Sequence, residues 1–112
     1  MIRSDQHLVL VGMMGVGKTT AARVLADRLG RAVFDTDMVI ETRSGSTVRE
    51  IFAEQGEPKF RELESKVLAE ALASPEPLVI AAAGGVVLSA ANRAALADSG
   101  ARVVWLCADP VN

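Results

Sequence analysis

The chain has 112 residues, half of them hydrophobic, and a formal net charge of −2. That length allows one domain with a buried core, and the lack of any basic run argues against a nucleic-acid surface. The single cysteine, Cys107, excludes an internal disulfide; flanked by Trp105 and Leu106, it reads as a packed core thiol. Arg3, Asp5 and an early glycine-rich segment argue against an apolar leader. The longest apolar run, from Leu78 to Leu88, is far too short for a membrane span.

In chain order, a first strand is expected over about residues 7–11. His7 stands alone at its start and reads as a surface residue. A first helix follows over 20–29, with Ala22, Leu25, Ala26 and Leu29 on one face, and Gly30 stops it. A short second strand covers roughly 32–35. A second helix runs from near Asp37 to Gly45. Thr47-Val48-Arg49-Glu50 reads as a capping box opening a third helix, which Gly56 ends. Pro58 suits the first position of a fourth helix, whose buried side carries Phe60, Leu63, Val67 and Ala71. Ser74-Pro75-Glu76-Pro77 forms a loop. Residues 78–83 and 102–107 read as strands apolar on both faces, as parallel strands are. Gly84-Gly85 closes the first of these, and a fifth helix covers about 89–98. This order predicts a parallel α/β sheet with right-handed crossovers. In such sheets ligands sit at the carboxyl ends of the strands.

Gly12-Met13-Met14-Gly15-Val16-Gly17-Lys18-Thr19 is the strongest motif. It follows a hydrophobic strand and opens a helix, the context of a phosphate-binding loop. Its glycines let successive N–H groups point inward as an anion cradle, and the helix adds its N-terminal N–H groups and dipole. Gly15, Val16, Gly17, Lys18, Thr19 and Thr20 are therefore expected around the phosphates of ATP. Lys18 reaches the terminal phosphates and Thr19 binds Mg²⁺.

Three further groups fall on the same edge. Asp35 and Asp37 lie two apart, on one side if the segment is extended. They suit Mg²⁺ coordination or acceptance of a hydroxyl proton; alternatively, Asp37 caps the next helix. Arg61 lies in the first turn of its helix, where a cation opposes the dipole by about 0.3–1 kcal/mol. It serves either an anionic ligand or a surface salt bridge to Glu57, Glu62 or Glu64. Gly84 and Gly85 allow close backbone approach to a ligand, or form a plain turn. The third strand ends without an acid, and no Asn-Lys-x-Asp motif occurs. Both absences favour transfer to a bound small molecule over hydrolysis.

Together these segments resemble shikimate kinase. The resemblance rests on the phosphate loop, Phe34-Asp35-Thr36-Asp37, Ile40-Glu41-Thr42-Arg43-Ser44-Gly45 and Ile51 through Gly56-Glu57-Pro58-Lys59-Phe60-Arg61-Glu62-Leu63-Glu64. Ala83-Gly84-Gly85 and Asn92-Arg93-Ala94-Ala95-Leu96 extend it. It implies a P-loop NTPase-type parallel sheet, here four strands in the order 2-3-1-4 with flanking helices. It also implies ATP-dependent phosphorylation of the 3-hydroxyl of shikimate, in aromatic amino-acid biosynthesis, by a cytoplasmic enzyme using Mg²⁺. Asp37 would contact the ring hydroxyls and act as base or orienting group. Asp35 would act through the metal shell with Thr19. Arg61 would pair with the shikimate carboxylate, and Gly84 and Gly85 would offer backbone contacts. Lys18 would neutralise charge during transfer.

Two departures from the family stand out. Ala83 occupies the first of three usual glycines; at a positive φ it would cost roughly 1–2 kcal/mol. Family members also continue into a lid arginine, a second substrate arginine, a fifth strand and a terminal helix. Residues 1–112 thus read as one kinase domain, C-terminally truncated. Such a piece is expected to lack turnover and to self-associate through the edge at 103–107, whereas the complete form is expected to be monomeric, binding neither nucleic acid nor membrane. Two other readings stand beside this one. One is another small-molecule kinase, such as a gluconate or nucleoside-monophosphate kinase, which a substrate panel separates. The other is a non-catalytic nucleotide-binding fragment, marked by ATP binding without transfer.

Overall fold

The computed structural model describes residues 5–12 and 18–106, excepting the side chains of residues 83, 84 and 106. Strand β1 (Leu8–Gly12) is buried along its whole length. Helix α1 (Lys18–Leu29) follows, then β2 (Val33–Asp35), α2 (Thr36–Ser44), α3 (Val48–Leu72) and β3 (Val79–Ala83). A 3₁₀ turn (Gly84–Leu88), α4 (Ala90–Ser99) and β4 (Arg102–Leu106) complete the described elements. The sheet is parallel in the order β2-β3-β1-β4, as expected.

The two central strands explain their own sequences. Val79 to Ala82 of β3 have no exposed surface, and Leu8 to Val11 of β1 have almost none. On one face, Val9, Val11, Ile80 and Ala82 pack with Leu68, Ala71, Val86 and Leu96. On the other, Leu8, Leu10, Val79 and Ala81 pack with Ala22 and Ala26 of α1. Each fully buried Leu or Ile contributes about 1.5–3 kcal/mol relative to exposure. A third cluster, Ile40, Ile51, Phe60 and Val67, joins α2 to α3.

The boundaries follow local chemistry. Gly30, Gly45 and Gly100 sit at helix ends with φ of 67°, 74° and 72°, a conformation that is cheap only for glycine. Thr47 and Glu50 form the complete capping box of α3. The break between the third and fourth expected helices lies inside α3, at Gly56, with φ 84° and ψ 165°. Pro58 follows where a restarting helix needs no N–H from it. Ala83 ends β3, and no described non-glycine residue has positive φ, so the strain considered for Ala83 is absent.

Other expectations are corrected. His7 is buried rather than on the surface, and its Nδ1 accepts the Leu78 N–H at 3.0 Å. Its backbone carbonyl accepts the Arg102 N–H at 2.9 Å, so one residue ties together the starts of β1, β3 and β4. Strands β1, β2 and β3 each begin one residue later than expected. Gly84 and Gly85 open a 3₁₀ turn that leads from β3 toward α4. Strand β4 is an edge of the described sheet, and its Trp105 is 53% exposed. Cys107 and residues 108–112 lie outside the described residues.

Candidate active site

Strand register sets the site. Gly12 is level with Ala83, and Asp35 with Ala81. The chain therefore leaves β1 and β3 at one height, and α2 starts beside them. Lys18 and Thr19 open α1, with Thr20 exposed behind them. Gly15, Val16 and Gly17 of the expected cradle lie outside the described residues.

The Asp-Thr-Asp unit is built differently from the extended arrangement expected. Asp35 is the N-cap of α2, its Oδ1 accepting the Met38 N–H at 3.1 Å. The capping role considered for Asp37 thus belongs to Asp35. Asp37 lies within the first helical turn, so the two carboxylates do not share a strand face. Thr36 between them is fully buried, and its hydroxyl donates to the Ala81 carbonyl at 3.4 Å. The second oxygen of Asp35 accepts from the Thr19 hydroxyl at 3.2 Å. This hydroxyl and carboxylate, adjacent at the start of α1, are hard oxygen donors of the kind Mg²⁺ takes. Mg²⁺ needs only one or two protein oxygens beside phosphate and water. No cluster of three or more His, Cys, Asp or Glu suited to a metal occurs among the described residues.

Asp37 has a buried Oδ1 without a hydrogen-bond partner among the described residues. Burial pushes its carboxyl above the usual range; Lys18 pulls it down, Asp35 and Glu41 push it up, and Arg61 pulls it down. The net direction is upward. An orphaned oxygen within the fields of Lys18 and Arg61 is suited to receive a hydroxyl from a ligand.

Arg61 is a fixture of this edge. Its Nη1 donates to Glu64 Oε1 at 3.0 Å, while Nε and Nη2 both donate to Glu57 Oε2 at 3.3 Å. Burial would lower its pKa, but the hydrogen bonds and charges of Glu64 and Glu57 raise it overall. Glu62 pairs instead with Lys59. The guanidinium lies 5.6 Å from the Phe60 ring centroid and directly against Gly85. A methyl at Gly85 would fall 2.7 Å from Cζ and 2.9 Å from Nη2, so a side chain there would dislodge the guanidinium. That supplies a reason for glycine at 85: the close approach is to Arg61.

Glu64 is the residue that sequence reasoning undervalued. It is 1% exposed, and its Oε2 has no partner among the described residues. Burial raises its pKa against the pull of Arg61, Asp37 raises it further, and Lys18 lowers it. Lys18, Asp37, Arg61 and Glu64 thus form one electrostatic group drawn from three helices. A cavity of about 280 Å³ opens beside it, lined by Glu57, Arg61, Glu64, Gly85 and Asn92 among others.

Residues 14–112 match the sequence profile described as "SKI: Shikimate kinase". The chain belongs to the shikimate kinase family. It is 55% identical over 98 residues to shikimate kinase of Thermobifida fusca, covering 88% of this chain and 55% of that protein. It is 50% identical over 104 residues to that of Symbiobacterium thermophilum, covering 93% of this chain and 59% of that protein. The chain therefore spans little more than half the length of these relatives. Among solved structures it resembles shikimate kinase from Acinetobacter baumannii in complex with shikimate. There the TM-score is 0.86 and the identity 41%, over 93% of this chain and 57% of the other. No described helix is long and apolar enough to cross a membrane.

Proposed function

We propose that this chain carries the phosphate-loop and shikimate-binding portion of an ATP:shikimate 3-phosphotransferase, a single cytoplasmic P-loop kinase domain. The observation that carries the reading is the buried, unpartnered Oδ1 of Asp37, set in the fields of Lys18 and Arg61. Membership of the shikimate kinase family supports shikimate as the ligand of that site.

Bound ATP with Mg²⁺ supplies the transferable phosphoryl group and spreads its charge. Lys18, with the backbone N–H groups of Thr19 and Thr20 at the start of α1, would hold the phosphates. Thr19 and Asp35, whose side chains hydrogen-bond to each other, would hold the metal ion. Asp37 orients the 3-hydroxyl of shikimate and accepts its proton. Its raised pKa makes it a stronger base than an exposed aspartate. Arg61 fixes the shikimate carboxylate with the planar fork that Lys lacks, and the backbone at Gly84 and Gly85 walls the ring.

Calorimetric titration of this chain with ATP·Mg²⁺ and with shikimate tests the reading. Lys18→Ala is expected to weaken ATP binding with unchanged circular dichroism. Arg61→Lys is expected to weaken shikimate binding by about 1.5–3 kcal/mol, leaving ATP affinity nearly intact. Equal losses for both ligands in Arg61→Lys would refute the assigned role.

A further inference from the structure

The two carboxylates on Arg61 are not equivalent. Glu64 holds Nη1 at 3.0 Å from a position 1% exposed. Glu57 spans Nε and Nη2 with one oxygen at two longer distances, both 3.3 Å, and its side chain is 60% exposed. Gly85 closes another side of the guanidinium. The buried contacts are therefore fixed, whereas Glu57 meets the guanidinium from the open side. It faces the cavity of about 280 Å³ that both residues line. Glu57 follows the Gly56 break directly, so its carboxylate stays near a helix N-terminus even when it lets go of Arg61.

We propose that Glu57 is a resident carboxylate that occupies the side-on fork of Arg61 until a ligand carboxylate replaces it. Binding at Arg61 is then an exchange. A simple carboxylate gains little, because it swaps one ion pair for a similar one. A ligand with further contacts in the site overcomes the exchange. Glu57 thereby raises the threshold that any carboxylate must pass at Arg61, and Glu64 and Gly85 keep the guanidinium in place throughout. The inference deepens the reading of Arg61 as a carboxylate receptor and rests on it.

The experiment compares the parent chain with Glu57→Gln and Glu57→Ala. The probes are shikimate, its methyl ester and acetate. Affinity is read by calorimetry, and the Arg61 Nε–H resonance by ¹⁵N NMR. Both variants should bind shikimate and acetate about threefold to tenfold more tightly, the size expected for losing one exposed ion pair and its repulsion. The uncharged ester should show no such gain. Unchanged or weaker shikimate binding in both variants, with clear binding by the parent, would overturn the exchange and leave the function intact. If shikimate binds no form, but acetate shifts Arg61 more readily in the variants, the exchange stands and shikimate is the wrong ligand. Failure of any carboxylate to move the Arg61 resonance in any form overturns the exchange.

Discussion

Removal of Arg61 should destabilise the chain mainly through Glu64. In Arg61→Ala, Glu57 simply becomes hydrated, since its side chain is 60% exposed. Glu64, 1% exposed and already holding one unpartnered oxygen, loses its only hydrogen-bond donor among the described residues. Breaking a fully buried pair in this way costs about 3–5 kcal/mol. Arg61 itself is 35% exposed, so water screens the pair and about 2–3 kcal/mol is the better figure. For a chain of this size that is a fall in Tm of roughly 10 °C. The penalty has a pH signature. Glu64 titrates above its usual value of 4.5 even with Arg61 present, and higher without it. The folded state then holds a proton that the unfolded state has released. Stability accordingly falls as pH rises through that interval. Thermal unfolding of the parent, Arg61→Ala, Glu64→Gln and the double variant, at about pH 5 and about pH 8, reads both effects. The Arg61→Ala deficit should be larger at the higher pH. Glu64→Gln should recover most of it in the double variant. A deficit equal at both pH values, or a double variant no more stable than Arg61→Ala, would refute a buried charge as the cause.

Two other outcomes follow from the same geometry. Asp37→Asn should raise thermal stability at neutral pH by about 0.5–1.5 kcal/mol while lowering any phosphoryl transfer, because site carboxylates are held at a cost to stability. Its pKa is raised, so that gain should shrink as pH falls toward the ordinary value of 3.8; a neutral-pH loss would contradict the direction of the shift. His7→Phe should cost about 1–3 kcal/mol by stranding the Leu78 N–H. His7→Asn, which keeps an acceptor, should cost less, and faster exchange of the Leu78 amide in His7→Phe alone would show where the loss lies.

Elements marked by local chemistry were legible from the residues. Gly30, Gly45 and Gly56, read as helix stops, all take the positive φ that ends or breaks a helix. The Thr47 capping box closes as read. The strand order 2-3-1-4 came from resemblance, because hydrophobic patterning does not state which strands are neighbours. His7 was misread for a related reason. Its environment is made by Leu78 and Arg102, far away in sequence, and no local pattern announces an unpaired N–H at the end of a distant strand. The Asp-Thr-Asp unit failed on a single boundary. Two-residue spacing aligns side chains only in extended chain, and the helix begins at Thr36.

Glu64 was within reach of the sequence, through helix phase rather than motif. Phe60, Val67, Leu68 and Ala71 lie on the buried side of α3, and position 64 is one turn from both Phe60 and Leu68. An acid on that stripe must either lose its charge or find a cation. The residue three positions earlier is Arg61, which supplies it at 3.0 Å. Taken alone, Arg61 reads as a surface salt bridge, because all its possible partners are glutamates on its own helix. Taken from the buried side, the order of cause reverses. The buried acid anchors the cation, Gly85 leaves room for it, and the exposed Glu57 contact is the one free to change. A guanidinium fixed from behind and open in front is suited to a receptor, and two of the three glutamates that make Arg61 look ordinary, Glu64 and Glu57, distinguish its two sides.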